Sequence, residues 1–296
     1  MFDRNDLRGI IPPIATPLTP AEKVDVPGMR RLVSYLLEAG VHGVFVLGAT
    51  GEFAYLRDRE RVKAIEAAVE AVNGRVPVIA GISDIGTRQV IEHCRAAQKA
   101  GADFVACIPP YYSPLRQQWI YEHVRTIACE TGVRLLLYNV PPVATAIDPE
   151  TIARLAEIEN VVGIKDSADI VHIQDVLFRT RERNLRLLVG QEYHLVAALM
   201  IGAHGGTPSP ANIVPRIYVE MYEKCLTGKI DEAFGLQEAS NRFVDVLDAM
   251  PSWTSTVKAA LHLMGICGPT VAAPVPPLTA EETELLRSHL RQHHIL

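Results

Sequence analysis

One pattern constrains this chain more than any other: short apolar, β-branched runs alternate with longer segments of helical period, eight times over. The runs occupy residues 10–16, 43–48, 76–81, 103–109, 134–140, 161–166, 185–190 and 203–208. Most are nearly continuous in apolar residues rather than alternating, the pattern of parallel strands buried on both faces. The segments between them are amphipathic and close on Gly40, Gly74, Gly101 and Gly132, residues suited to the left-handed turn after a helix. Asp148-Pro149-Glu150 opens a further helix, with Asp148 as its cap and Pro149 at its first position. Eight such units predict an α/β fold, a (β/α)8 barrel over residues 1–224. Residues 225–296 are helix-patterned without strands and read as an appended helical subdomain. A doubly wound open sheet is the alternative, but no Gly-rich dinucleotide turn accompanies it.

Composition narrows the function classes. The 296 residues are 48% hydrophobic and 21% charged, with a net charge of −5 and no basic stripe. Neither nucleic acid nor an anionic membrane is an expected partner. No apolar run approaches the roughly 18 residues that span a bilayer, and the N-terminus lacks a basic head and apolar helix of a signal segment. A cytoplasmic protein is the simplest reading. The five cysteines are scattered and never in a C-x-x-C pair, so they read as small buried hydrophobes.

In a barrel of this kind chemistry sits where the strands end. The second run ends in Gly48-Ala49-Thr50-Gly51-Glu52, a turn whose amides and Thr50 hydroxyl can cradle a carboxylate. The same glycines equally suit a plain strand-to-helix turn. The fourth ends in Pro-Pro-Tyr111-Tyr112-Ser-Pro, tyrosines that reach a site or a neighbouring subunit, or simply cover core. The fifth ends in Tyr138-Asn139, where a phenol either exchanges protons or packs with its hydroxyl satisfied at the rim.

The sixth places Lys165 at the end of VVGIKD. Burying a lysine costs several kcal/mol unless it loses its proton or finds a partner. A neutral amine in an apolar barrel is what imine formation requires. The alternative is a structural ion pair with Asp166 or Glu52. Glu192 and His204 lie near the last two strand ends, and no H-x-H, H-E-x-x-H or carboxylate cluster marks a metal site.

Taken together, GIIPPIATPLT, GATGE, PPYYSP, YNVP, GIKDSA and GAHGGTPSPAN resemble the dihydrodipicolinate synthase / N-acetylneuraminate lyase (DapA-like) family of class I aldolases, over essentially the whole chain. The resemblance implies that Lys165 forms a Schiff base with a 2-oxo acid and that Tyr138 shuttles protons over the imine. It implies that the amides of Ala49 and Thr50, with the Thr50 hydroxyl, hold the carboxylate, and that the Thr207 backbone lies beside bound pyruvate. Tyr112 matches a tyrosine that crosses a subunit interface in the synthase branch, and a homotetramer is the family's common assembly. No cofactor or metal is implied.

Two departures follow from the same resemblance. The synthase pattern carries a hydroxyl residue where this chain has Ala49, and an arginine where it has Val143. Loss of the arginine removes a charge-assisted pair of about 1.5–3 kcal/mol with a second carboxylate. Ser167 and Gln191-Glu192-Tyr193 fall where lyase relatives contact substrate hydroxyls. The expected substrate is a hydroxylated 2-oxo acid of the 2-keto-3-deoxy sugar acid type, cleaved to pyruvate and an aldehyde. The alternatives are its dehydration through the same enamine, dihydrodipicolinate synthesis, or a non-catalytic pyruvate-binding barrel.

Overall fold

A computed structural model describes residues 2–141 and 143–296. Its elements run β1 (Gly9–Ile10), α1 (Val26–Glu38), β2 (Val44–Val46), α2 (Asp58–Val72), β3 (Val78–Gly81), α3 (Thr87–Lys99), β4 (Phe104–Cys107) and α4 (Gln117–Thr131). They continue as β5 (Leu135–Asn139), α5 (Pro149–Leu155), β6 (Val161–Asp166), α6 (Ile170–Thr180), β7 (Arg186–Val189), α7 (Leu195–Met200), β8 (Gly205–Gly206) and α8 (Pro215–Leu226). Three helices follow: α9 (Ile230–Asp248), α10 (Trp253–Leu263) and α11 (Ala280–Gln292).

The eight strands form one sheet in the order β1-β8-β7-β6-β5-β4-β3-β2, and every pairing is parallel. A parallel bridge between Pro13 and Phe45 joins the continuation of β1 to β2 and closes the barrel. That closure explains why the first run, expected over residues 10–16, is a regular strand only at Gly9–Ile10. Pro12 and Pro13 have no N–H to donate to a ladder, so the Pro12 carbonyl and the Ile14 amide make the contacts to Phe45 instead. The last run is shortened in the same way, to Gly205–Gly206. Gly205 is required there, because a Cβ would stand 2.1 Å from the Gly9 carbonyl oxygen of the adjoining strand.

The helix ends follow the sequence closely. Gly132 caps α4 in the left-handed conformation, and Asn73 takes that position on α2, one residue before Gly74. Asp148 is the N-cap of α5 with Pro149 after it, yet its side chain makes no capping hydrogen bond; its amide is held instead by Gln117 Oε1 at 3.0 Å. No helix among the described residues is long and apolar enough to cross a membrane.

Candidate active site

Lys165 and Tyr138 are register partners on β6 and β5, so they project to the same side of the sheet, and Asn139 and Asp166, one residue on, project to the other. The result is two different environments back to back. Toward the barrel interior, Lys165 Nζ donates to the Tyr138 hydroxyl at 3.0 Å. It lies 4.2 Å from the Tyr138 ring centroid and 5.1 Å from that of Phe45. Lys165 is only 4% exposed.

On the opposite side, Asp166 accepts from Asn139 Nδ2 at 2.9 Å and from the Ala168 amide at 3.0 Å. Its other oxygen meets His172 Nδ1 at 3.0 Å. The second candidate partner, Glu52, is engaged by Lys258 of α10, both side chains fully buried, and also accepts from the Ala272 amide at 2.6 Å. Asp166 and Glu52, the two carboxylates that the sequence offers to Lys165, are thus each engaged by another basic side chain. Among the described residues no carboxylate lies within salt-bridge distance of Lys165.

The Gly48–Glu52 turn is bracketed by two non-glycine residues in the left-handed region, Leu47 at φ 60° and Glu52 at φ 59°. Such residues cost on the order of 1 kcal/mol each and persist only where the surroundings enforce them. Here β3 enforces one: a Cβ on Gly81 would stand 1.9 Å from the Leu47 carbonyl oxygen, so only glycine lets the turn lie that close. Within it the Gly51 and Glu52 amides bond back to Gly48 and Ala49 carbonyls at 3.0 Å. The Ala49 and Thr50 amides have no protein acceptor among the described residues. The Thr50 side chain is buried, with Oγ1 2.6 Å from Ser209 Oγ, and Ser209 Oγ in turn accepts from the Trp253 indole at 2.7 Å.

The Thr207 amide and hydroxyl both donate to the Val189 carbonyl, at 2.7 and 3.2 Å. Ser167 donates its amide to Asn139 O at 2.8 Å and accepts from Gln191 Nε2 at 3.3 Å. Its hydroxyl packs so tightly on Gly190 that a Cβ there would be 1.9 Å away. Glu192 opens the 3-10 turn Glu192–His194, which Gln237 of α9 clamps by donating to the Glu192 carbonyl at 2.8 Å. Burial pushes the Glu192 carboxyl up to about 7; Asp248 adds to the rise, and the Lys165 charge acts against it. That coupling ties Glu192 electrostatically to Lys165.

Two expected positions are not brought to this site within one chain. Tyr112 is 85% exposed on its loop, while Tyr111 turns inward with its ring edge-on to Phe53. Val143 is 45% exposed and offers no polar group. His204 is structural: its Nδ1 accepts from the Leu187 amide at 3.1 Å.

Sequence reasoning did not single out Ser209, Trp253, Asp245 or Asp248. The Tyr193 hydroxyl faces both aspartates, at 3.1 Å from Asp245 and 2.8 Å from Asp248. Ser209 lay inside the GGTPSPAN motif, a usable signal. The others sit on α9 and α10, and nothing in their local sequence announces a site. No group of three or more His, Cys, Asp or Glu among the described residues is placed to hold a metal ion.

The chain matches the family described as the dihydrodipicolinate synthetase family over residues 6–293. It is 32% identical over 291 residues to a DapA-like lyase of Thermococcus onnurineus, covering 97% of this chain and 99% of that one. It is 33% identical over 289 residues to a 4-hydroxy-tetrahydrodipicolinate synthase of Neisseria meningitidis, covering 96% and 98%. Among solved structures it is similar to YagE of E. coli K12, a dihydrodipicolinic acid synthase family protein in complex with pyruvate, with a TM-score of 0.92, 28% identity and coverage of 98% and 99%. A monomeric dihydrodipicolinate synthase variant aligns over 100% of both chains, with a TM-score of 0.94 and 29% identity.

Proposed function

The chain belongs to the dihydrodipicolinate synthetase family and is an enzyme of the lyase class; from that premise we propose that it cleaves a hydroxylated 2-oxo acid, of the 2-keto-3-deoxy sugar acid type, reversibly to pyruvate and an aldehyde through an imine at Lys165. One observation carries the reading. Lys165 is a buried amine whose two candidate carboxylate partners are engaged elsewhere, and among the described residues its hydrogen-bond partner is a phenol at 3.0 Å.

The chemistry runs as follows. Lys165 Nζ attacks C2 of the substrate, and the former carbonyl oxygen leaves as water, giving a protonated imine. Tyr138 relays the protons that this exchange requires. The Tyr138 oxygen, left without its proton once the protonated imine has formed, takes the proton of the C4 hydroxyl; the C3–C4 bond breaks, and its electrons pass through C3 and C2 to the imine nitrogen. The aldehyde departs and an enamine remains. Protonation at C3 and addition of water at C2 release pyruvate and restore the amine. The free amides of Ala49 and Thr50, with the Thr50 hydroxyl, hold the C1 carboxylate as a small anion nest. On this reading the Thr207 backbone lies beside the bound pyruvate and Ser167 contacts a substrate hydroxyl.

The distal half of the site supports a hydroxylated substrate over one with a second carboxylate. Val143 supplies no cation, and Glu192, Asp245 and Asp248 make the neighbourhood acidic. Glu192 accepts hydrogen bonds from substrate hydroxyls when ionised. A carboxyl pushed up to about 7 also suits donation of a proton to a departing hydroxyl, which favours dehydration through the same enamine as the second reading. Assembly as a homotetramer belongs to this proposal too; the 85% exposed Tyr112 is free to reach another copy. A panel of 2-keto-3-deoxy acids, assayed for pyruvate and aldehyde together, tests it. Matched yields of the two support cleavage; loss of water without an aldehyde supports dehydration; turnover of none of them contradicts both.

A further inference from the structure

We propose that Trp253 is a positioning residue for the carboxylate-binding turn, acting through Ser209 on the hydroxyl of Thr50. The proposal rests on the reading of that turn as the seat of the substrate carboxylate, and it gives α10 a part in binding.

Hydrogen-bond direction fixes the order of donors along this chain of side chains. An indole N–H can only donate, so at 2.7 Å Ser209 Oγ must accept from Trp253. Ser209 keeps its own hydrogen, and Thr50 Oγ1 at 2.6 Å is the side-chain acceptor beside it. A carboxylate in the turn cannot donate, so it draws the Thr50 hydrogen toward itself. The hydrogen between Thr50 and Ser209 must then come from Ser209. Trp253, Ser209 and Thr50 thus align as three donors in series, each polarising the next toward the anion.

Two features make the chain matter here. Thr50 carries the sole side-chain hydroxyl between Leu47 and Glu52, because Ala49 has none. It is also buried, where a hydrogen bond to a charge is strengthened. The same helix grips the turn a second time, through the Lys258 pair with Glu52. α10 therefore sets both the backbone position of the turn and the direction in which its hydroxyl points.

The test compares wild type, Trp253→Phe, Ser209→Ala, the double variant and Ser209→Thr. For each, the pyruvate concentration that gives half-maximal borohydride trapping is measured, alongside trapping of acetone, a ketone without a carboxylate. Trp253→Phe keeps an aromatic ring and should raise the half-saturating pyruvate concentration about five- to ten-fold, the scale of one hydrogen bond. Ser209→Ala should raise it at least as much, the double variant no further, and Ser209→Thr should stay close to wild type. Acetone trapping should be the same in all. An unchanged pyruvate dependence in Trp253→Phe, additive losses in the double variant, or equal losses with acetone would each overturn the proposal while leaving the imine reading standing. A wild type that traps no pyruvate overturns the imine reading and this proposal together.

Discussion

Asp166 and His172 form an ion pair one residue beyond Lys165, with Oδ2 and Nδ1 3.0 Å apart. The other ring nitrogen of His172 lies 3.0 Å from the Ile147 carbonyl oxygen. Both partners are acceptors, an arrangement that favours the doubly protonated, cationic imidazole. The hydrogen bond to Asp166 is the main cause that raises its pKa above the ordinary value, with burial opposing it. The pair ties β6 to α6 and, through Asn139 and Ile147, to the segment after β5.

A histidine with a raised pKa contributes stability that is complete below its unfolded value, about 6.5, and fades as pH rises through the higher folded value. His172→Gln should therefore cost about 3 kcal/mol at pH 6, the scale for breaking a buried pair, and clearly less at pH 9. Urea unfolding at the two pH values checks this. An equal loss at both would assign the histidine a packing role only.

Lys258 illustrates the other use of a buried lysine. It is wholly buried, pairs with Glu52 and donates to the Thr270 carbonyl at 2.7 Å. Lys258→Met leaves the Glu52 carboxylate uncompensated and should cost about 3–5 kcal/mol. Glu52→Gln with Lys258→Met should recover part of that loss, because no charge then remains buried. Chemical denaturation of the single and double variants separates the cases; a double variant no more stable than Lys258→Met would contradict the pairing argument.

Much of this arrangement was legible along the chain, and the illegible part has a common cause. The sixth run was expected over 161–166 and is β6 over that same span, because its boundaries are set locally by apolar burial and the polar residues after it. The nearness of Lys165 and Tyr138 follows from the resemblance and from their place at the ends of consecutive runs, which are neighbouring strands in the sheet. The partners of the charged groups were not. Glu52 could have served Lys165 as well as Lys258 on sequence grounds, and 206 residues separate it from the lysine that holds it. Trp253 reaches the site only through a helix packed over the barrel end. Residue type announces a need for a partner; the tertiary fold chooses which one.

Tyr138→Phe keeps the ring edge-on to Phe45 and removes only the hydroxyl that accepts from Lys165. The catalysed rate should fall about 10²- to 10⁴-fold, as for loss of a proton-transferring group, while a slower adduct at Lys165 still forms. Steady-state turnover measured beside single-turnover trapping distinguishes the two effects. Full activity in Tyr138→Phe would remove the phenol from the mechanism.

Glu192 is pushed up to about 7, chiefly by burial, so it changes charge within the working pH range. The wild-type kcat/KM profile for a hydroxylated substrate should contain an ionisation near pH 7 that Glu192→Gln abolishes. Trapping of pyruvate, which has no distal hydroxyl, should be little altered in the same variant. Equal impairment with every substrate would sink the assignment of Glu192 to the distal half of the site.

With Asp166 held by His172 and Glu52 by Lys258, Lys165 is, on the proposed mechanism, the amine that bonds to substrate. Borohydride reduction in the presence of pyruvate, followed by peptide mass mapping, tests it most directly. One stable adduct is expected, on the peptide carrying Lys165 and absent from Lys165→Met. A folded wild type with no adduct, or an adduct on Lys258 instead, would contradict it.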